Sequence, residues 1–132
     1  MRYRHRRALV CWVVLAVTAA CARSRRTDAR STAEPVIIVF RNESLDQADV
    51  FAVRPSGAGS VRLGTVMAGS TETLKIPPGS VPAGSGVDFV ARLRIHSRTL
   101  HSGPVTVSPG DRFTITLPST ENSLAVLPAP KP

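Results

Sequence analysis

Apolar and polar residues alternate along most of the chain beyond residue 35, and a period of two is typical of β-strands that are half-buried in a sheet. In the clearest stretch, 87–96, the odd-numbered positions are all apolar, and the even-numbered positions are charged or histidine except for Val90. Similar alternation covers 71–76 and 112–117. Residues 36–40 (VIIVF) instead form a continuous apolar run, which predicts a strand covered on both faces.

Residues that favour turns separate these segments. Segments 55–59 (PSGAG) and 77–86 (PPGSVPAGSG) are rich in Pro, Gly and Ser, and 108–111 (SPGD) has Pro and Gly where a type II turn prefers them. Further strands are expected at 49–54, 61–66, 99–107 (as two short strands around Gly103) and 123–127. About seven to nine short strands spaced about 8 to 12 residues apart predict an all-β fold, a small antiparallel β-sandwich of Ig-like or prealbumin-like topology.

The first part of the chain has a different pattern. Four arginines within residues 1–7 precede thirteen uncharged, mostly apolar residues at 8–20, and Cys21 follows. A basic head, a short apolar run and an exit of small residues are typical of a secretory signal peptide. Because a helix of thirteen residues rises only about 20 Å, against about 30 Å for a hydrocarbon core, no permanent membrane span is expected.

Residues 17–21 (VTAAC) resemble the lipobox of bacterial lipoproteins, in which small residues precede a cysteine. The resemblance implies diacylglyceryl transfer to the Cys21 thiol, cleavage before Cys21 and acylation of the new amino terminus. It also implies a membrane-anchored protein of the bacterial cell envelope that faces the periplasm or the exterior. Ala22 favours the outer membrane over the inner one, by similarity to enterobacterial lipoproteins. The alternative is an ordinary signal peptide cut after Ala20 or Ala22, because Thr18 stands where lipoboxes most often have leucine.

These patterns divide the chain into four parts. We expect a signal peptide at 1–20, a lipid-anchored flexible tether at 21–34, a β-sandwich domain at 35–127 and a Pro-rich tail at 128–132. The tether is rich in Arg, Ser and Thr and has no apolar periodicity, which is typical of an unstructured segment. Segments 61–66 (VRLGTV) and 107–111 (VSPGD) resemble small β-sandwich lipoproteins of no assigned role.

The net charge of the chain argues against a nucleic-acid partner when the arginines of the predicted signal peptide are left out of the count. The whole sequence has 17 Lys and Arg against 9 Asp and Glu. Four of the arginines lie in the signal, so the mature chain has 13 basic and 9 acidic residues, and no nucleic-acid partner is expected. Cys11 lies within the signal and Cys21 directly after it, so the folded part has no disulfide and no thiolate metal ligand.

The folded part offers few groups for catalysis or for binding a metal. His96 and His101 are five residues apart and would point to opposite faces of one strand, so we interpret them as two surface histidines rather than metal ligands. Neither a nucleophile elbow nor a phosphate-binding loop motif occurs. We interpret Glu43, Asp46 and Asp49 as solvating and turn-capping carboxylates of one polar loop. We therefore expect no enzyme activity, no metal and no cofactor.

Binding chemistry is better represented, by arginines in the second half of the domain: Arg92, Arg94, Arg98 and Arg112. If 87–95 and 111–117 are neighbouring strands, their outward faces form a basic patch suited to phosphate or carboxylate groups. The alternative is the ordinary polar face of a sandwich.

The leading hypothesis is a non-enzymatic envelope protein, anchored to the membrane through lipid on Cys21, that binds an envelope protein or supports an assembly. One alternative is a module that binds anionic ligands or glycans through Arg92, Arg94 and Arg112. Another is a subunit that adds an edge strand to a partner's sheet.

Overall fold

The structure, a computed structural model, describes residues 34–57 and 59–130. The predicted signal peptide and Cys21 lie outside the described residues, as does the tether apart from Glu34. Eight strands form within the described part: β1 (Val36–Asn42), β2 (Ala48–Val53), β3 (Ser60–Val66), β4 (Thr71–Ile76), β5 (Ser85–Leu93), β6 (Thr99–Val107), β7 (Arg112–Leu117) and β8 (Ala125–Pro128). In residues 34–57 and 59–130, no helix has the length and hydropathy needed to cross a bilayer.

The strands form two four-stranded sheets that pack face to face, which confirms the predicted β-sandwich. One sheet has the order β4-β1-β7-β8 and the other β3-β2-β5-β6. Every pair is antiparallel except β1 and β7, which are parallel. An immunoglobulin domain places its first, second, fourth and fifth strands in one sheet. The strand order observed here differs from that of an immunoglobulin domain.

The core consists of the inward-facing residue of each alternating pair. Val36, Ile38 and Phe40 of β1 are buried, whereas Ile37 and Val39 on the outer face are only half-buried. The expectation that β1 is fully covered on both faces was therefore wrong, because the second sheet packs on one side of it only. On β4, Leu74 and Ile76 are buried and the intervening residues are exposed, as the alternation predicted.

The strands predicted at 87–95 and at 99–107 differ from those observed by more than a small shift of their ends. The strand predicted to continue to residue 95 ends at Leu93, and Ile95 is 73% exposed rather than in the core. The chain turns after Leu93, whose N–H donates to the carbonyl of Arg98. Segment 99–107 is a single strand, β6, rather than two short ones. A register shift between Asp88 and Val90 on the neighbouring β5 accommodates the irregular residues of β6 within one continuous ladder.

A glycine permits close contact between the sheets where β3 and β4 follow one another. Gly64 faces Leu74, and a Cβ added to Gly64 would lie 2.9 Å from the Leu74 Cδ2. Since real Cβ atoms do not approach other atoms this closely, any larger residue at this position would push the two sheets apart or displace Leu74.

The direction of the strands gives the sandwich two distinct ends. The loops 54–59, 77–84 and 108–111 lie at the end where the chain enters at Glu34, and we call this the proximal end. The loops 43–47, 67–70, 94–98 and 118–124 lie at the opposite end, which we call the distal end. Any membrane anchor preceding residue 34 would therefore join the domain at the end away from the distal loops.

Candidate functional site

A buried asparagine connects two of the distal loops. Asn42 is the last residue of β1 and is only 1% exposed. Its Nδ2 donates to the carbonyl of Asp46 at 2.8 Å in the first loop, and it faces the carbonyls of Val66 at 3.2 Å and Met67 at 3.1 Å where β3 ends. Its Oδ1 accepts hydrogen bonds from the N–H and the hydroxyl of Ser44. The Asn42 side chain thus fixes loop 43–47 to the start of loop 67–70.

Asp46 extends this network to a third loop. Its side chain is fully buried, and its Oδ2 accepts hydrogen bonds from the N–H groups of Ile95 at 2.8 Å and His96 at 3.0 Å. The Oδ1 has no hydrogen-bond partner among the described residues. Burial opposes ionisation, but the N–H groups of His96, Ile95 and Gln47, together with the charge on His96, hold the pKa of Asp46 below its ordinary value. The ionised carboxylate therefore fixes loop 94–98 against loop 43–47.

His96 brings in the fourth distal loop. Its Nδ1 lies 3.2 Å from Oε2 of Glu121 and 3.7 Å from Oδ2 of Asp46, and its side chain is half-exposed. Glu121 is buried and has a positive φ of 49°, a backbone conformation that is uncommon outside glycine. Within residues 34–57 and 59–130, no group of three or more His, Cys, Asp and Glu residues is placed to hold a metal ion. His96 thus contacts carboxylates of loops 43–47 and 118–124.

Three large apolar side chains are exposed on the loops that this network holds together. Leu45 is 88% exposed, Met67 58% and Ile95 73%. Leu45 lies between the network residues Ser44 and Asp46, Met67 supplies a carbonyl to Asn42, and Ile95 donates its N–H to Asp46. Single exposed apolar residues are ordinary, but three on loops joined by one buried network make the distal end a candidate contact surface. We call Leu45, Met67 and Ile95 the apolar tips.

The candidate arginines do not lie on a single face of the sandwich. Arg92 and Arg94 lie on or just after β5, and Arg98 follows in loop 94–98; all three are exposed. Arg112 begins β7 at the proximal end of the other sheet. The condition for a shared patch, that these two strands are neighbours, is not met, because β5 pairs with β2 and β6, whereas β7 pairs with β1 and β8.

Two of these arginines already have partners within the domain. The Arg92 guanidinium lies 4.8 Å from the centroid of the Phe51 ring. The Arg94 Nε lies 3.0 Å from Oδ2 of Asp49, and Arg62 pairs with the other oxygen of the same carboxylate. The Thr65 hydroxyl donates a hydrogen bond to Asp49, and this is the main reason that the pKa of Asp49 is lowered to about 2. Partial burial of the carboxylate opposes the shift, and its pairing with Arg94 and Arg62 adds to it. Asp49 is thus an ionised bridge between two strands rather than a loop-solvating residue.

A second histidine cluster lies on the outer face of β5 and β6. Nδ1 of His101 lies 2.7 Å from Oδ2 of Asp88, whose Oδ1 accepts the Gly103 N–H at 3.0 Å and faces the Ser102 hydroxyl at 3.3 Å. Because the aspartate lies between the serine and the histidine, His101 does not face the serine hydroxyl as a general base must. The cluster stabilises the register shift between these strands. Both histidines are partly exposed, as predicted.

A cavity at the proximal end is too small for a ligand. It lies between Val36, Ile76, Val81 and Val107, and its volume is about 20 Å³. This is room for about one water molecule, whereas pockets for small organic ligands have volumes of roughly 300 to 1,000 Å³. The distal loops are therefore the better candidate site.

The distal network was not recognised from the sequence, although one signal for it was present. Residues 36, 38 and 40 face the core, and the same period of two continues through Asn42, Ser44 and Asp46 to Ala48. Polar residues that remain in the inward phase of a strand are candidates for a buried network. Glu121 carries no comparable signal, because its loop has no alternating pattern.

Comparison with known proteins identifies no family for this chain. No protein-family model and no curated protein matches it. Among solved structures, a protein from Eubacterium rectale is 11% identical, with a TM-score of 0.45, over 73% of this chain and 87% of that one. A proposed cell adhesion protein from Bacteroides ovatus is 12% identical, with a TM-score of 0.40, over 74% of this chain and 44% of that one.

Proposed function

We propose that this protein is a non-enzymatic binding module of the bacterial cell envelope, anchored by lipid at Cys21, which presents its distal loops to a protein partner. The observation that supports this most directly is the position of the apolar tips. They lie at the end of the sandwich opposite to Glu34, where the chain arrives from the proposed anchor. A surface so placed points away from the membrane that holds the protein.

The dimensions of the chain agree with this arrangement. The segment between Cys21 and the domain reaches at most about 45 Å when fully extended. The seven residues of β1 add about 23 Å between the two ends of the sandwich. The distal loops can therefore meet partners well beyond the lipid headgroups.

The apolar tips are suited to binding because their backbones are already held in place. Burying a large apolar side chain contributes roughly 1.5 to 3 kcal/mol, so three of them can drive a moderate association. Ordering a loop on binding costs part of that energy. Since Asn42 and Asp46 hold all three loops in the free domain, most of this ordering has occurred on folding.

A second candidate function is the binding of an anionic ligand or glycan by Arg92, Arg94 and Arg98. The exposure of all three near one end of β5 favours it, although Arg112 is no longer part of the group. If this is the function, the lipid-free protein should be retained on heparin or lipopolysaccharide, and replacing Arg92 and Arg94 by Ser should abolish retention. Replacement of Arg112 by Ser is the matched control. Retention that survives the double change, or that never occurs, would exclude this candidate.

Metabolic labelling with an alkynyl fatty acid tests the anchor. Wild-type protein and the variant Cys11→Ala should incorporate the label, whereas Cys21→Ala should not and should remain unprocessed. Cys11 is the matched control because it is the only other cysteine in the chain. Equal labelling of the Cys21→Ala and wild-type proteins would refute lipid attachment at this residue.

A further inference from the structure

We propose that the apolar tips dock onto an envelope protein whose contact surface is apolar at its centre and carries carboxylates at its border. This inference rests on the proposed function and adds the chemistry of the partner. The apolar tips supply the centre of the contact, and Arg94 and Arg98 supply its charged border.

The distribution of charge at the distal end determines the sign of the partner. Two basic residues of loop 94–98 are exposed. The Arg94 side chain is 60% exposed, and Arg98 is also exposed. Three acidic side chains of this region are largely buried: Asp46 fully, and Asp49 and Glu121 with side chains 16% and 10% exposed. Glu43 is exposed, but it lies in loop 43–47 and pairs there with Arg41. A partner approaching loop 94–98 therefore meets positive charge, which is complementary to a border of Asp and Glu.

A second copy of the chain does not fit this surface. A symmetric dimer through the apolar tips would bring the two copies of loop 94–98 toward each other, with Arg94 and Arg98 exposed on both. Like charges placed together at an interface are unfavourable, and Glu43, the exposed carboxylate of the distal loops, is already paired with Arg41.

A lipid bilayer is also a poorer fit than a protein. Glu43 is exposed beside Leu45 and would have to enter the headgroup region with it. The tips contain no Trp or Tyr, the residues enriched at membrane interfaces. The chain also arrives from its proposed anchor at the opposite end, so the distal loops face away from the anchoring membrane.

Site-specific photocrosslinking in the producing cells tests this proposal. A photoreactive amino acid is placed in the full-length protein at position 45 or 95, and at position 127 as a control. Leu127 is also an exposed apolar residue, but it lies on the edge strand β8 rather than on a distal loop. We expect positions 45 and 95, and not 127, to capture the same protein. The captured peptide, identified by mass spectrometry, should be apolar with neighbouring Asp or Glu residues.

Charge reversal provides the second arm of the experiment. With the photoreactive residue at position 95, Arg98→Glu should reduce capture roughly tenfold, and added salt should reduce capture by the wild type. Arg112→Glu makes the same change in charge at the proximal end and should leave capture unchanged. Thermal unfolding of both variants confirms that each is folded. The Arg98→Glu variant should keep the loop structure, because the hydrogen bond from the Leu93 N–H to the Arg98 carbonyl involves only backbone atoms.

The opposite outcomes overturn the proposal. Capture of lipid, of glycan, of a second copy or of a basic peptide would assign a different occupant, and equal capture at position 127 would remove the site. Capture of nothing at positions 45 and 95 would also contradict it. Fatty-acid labelling at Cys21 is measured separately, so a failure of the anchor and a failure of the docking surface can be distinguished.

Discussion

Replacing Asn42 by Ala tests whether the buried network holds the distal loops. Two of the carbonyls that Asn42 contacts would still have hydrogen-bond donors after the substitution. The Asp46 carbonyl still accepts from the Ser44 hydroxyl, and the Met67 carbonyl still accepts from the N–H and the hydroxyl of Ser70. The Ser44 N–H and the Val66 carbonyl lose their side-chain partner. Each buried polar group left without a partner costs about 1 to 3 kcal/mol, so we expect a loss of about 3 kcal/mol.

The loss is measurable because domains of this size are marginally stable. A change of about 3 kcal/mol in a domain of fewer than about 100 residues corresponds to a fall in Tm of roughly 12 to 24 °C. The only Trp and the only Tyr of the chain are Trp12 and Tyr3, which lie in the predicted signal peptide. Unfolding of the lipid-free protein should therefore be followed by circular dichroism in urea rather than by tryptophan fluorescence.

The matched control is Asn122→Ala, the same substitution at an exposed position of loop 118–124. We expect it to change the free energy of unfolding by no more than about 0.5 kcal/mol. If Asn42→Ala were equally mild, the hydrogen bonds of Asn42 would not be what holds the distal loops, and the premise of a preorganised site would fail.

Three further predictions concern charge and packing. His96→Ala removes the imidazole that faces two buried carboxylates and should lower the free energy of unfolding by about 1 to 3 kcal/mol at pH 6, as measured by urea titration. Because the pKa of Asp49 is lowered to about 2, the folded state binds fewer protons than the unfolded state. The resulting stability is present above pH 4 and is lost as the pH falls toward 2. Asp49→Asn should flatten this slope in acid unfolding curves, and an unchanged slope would contradict the assignment. Gly64→Ala should destabilise the domain by about 1 to 3 kcal/mol, because the added Cβ would meet the Leu74 side chain. Gly86→Ala is the control: its added Cβ would lie 3.8 Å from the nearest atom, so its effect in the same assay should be milder.

Local patterns predicted the strands well where one face is buried and the other exposed. At 71–76 and 112–117 the alternation gave both the strand and its inward face, because each residue's environment there is set by the pleat alone. The turn at 108–111 was also predicted correctly: the Asp111 N–H donates to the Ser108 carbonyl, and Gly110 has a positive φ of 78°.

Long-range pairing could not be predicted from the same patterns. Nothing in the alternation shows that β5 and β7 belong to different sheets, and the expected patch containing Arg112 depended on that pairing. Ile95 fits the apolar phase of β5, yet two N–H groups donated to Asp46 turn the chain out of the sheet at that point. A hydrogen bond between residues 49 positions apart along the sequence has no signature in local periodicity.

Oxidation of Met67 in intact cells tests most directly whether the distal end is the binding surface. The chain has two methionines, and the other, Met1, lies in the predicted signal peptide, so Met67 would be the single methionine left after cleavage of that segment. Met67 is 58% exposed in the free domain and should be oxidised readily to the sulfoxide when the purified protein is treated with peroxide. We predict that oxidation is several-fold slower in the native envelope and returns to the rate of the purified protein in the Arg98→Glu variant. Equal rates for the wild-type protein in the envelope and in purified form would contradict a partner bound at the apolar tips.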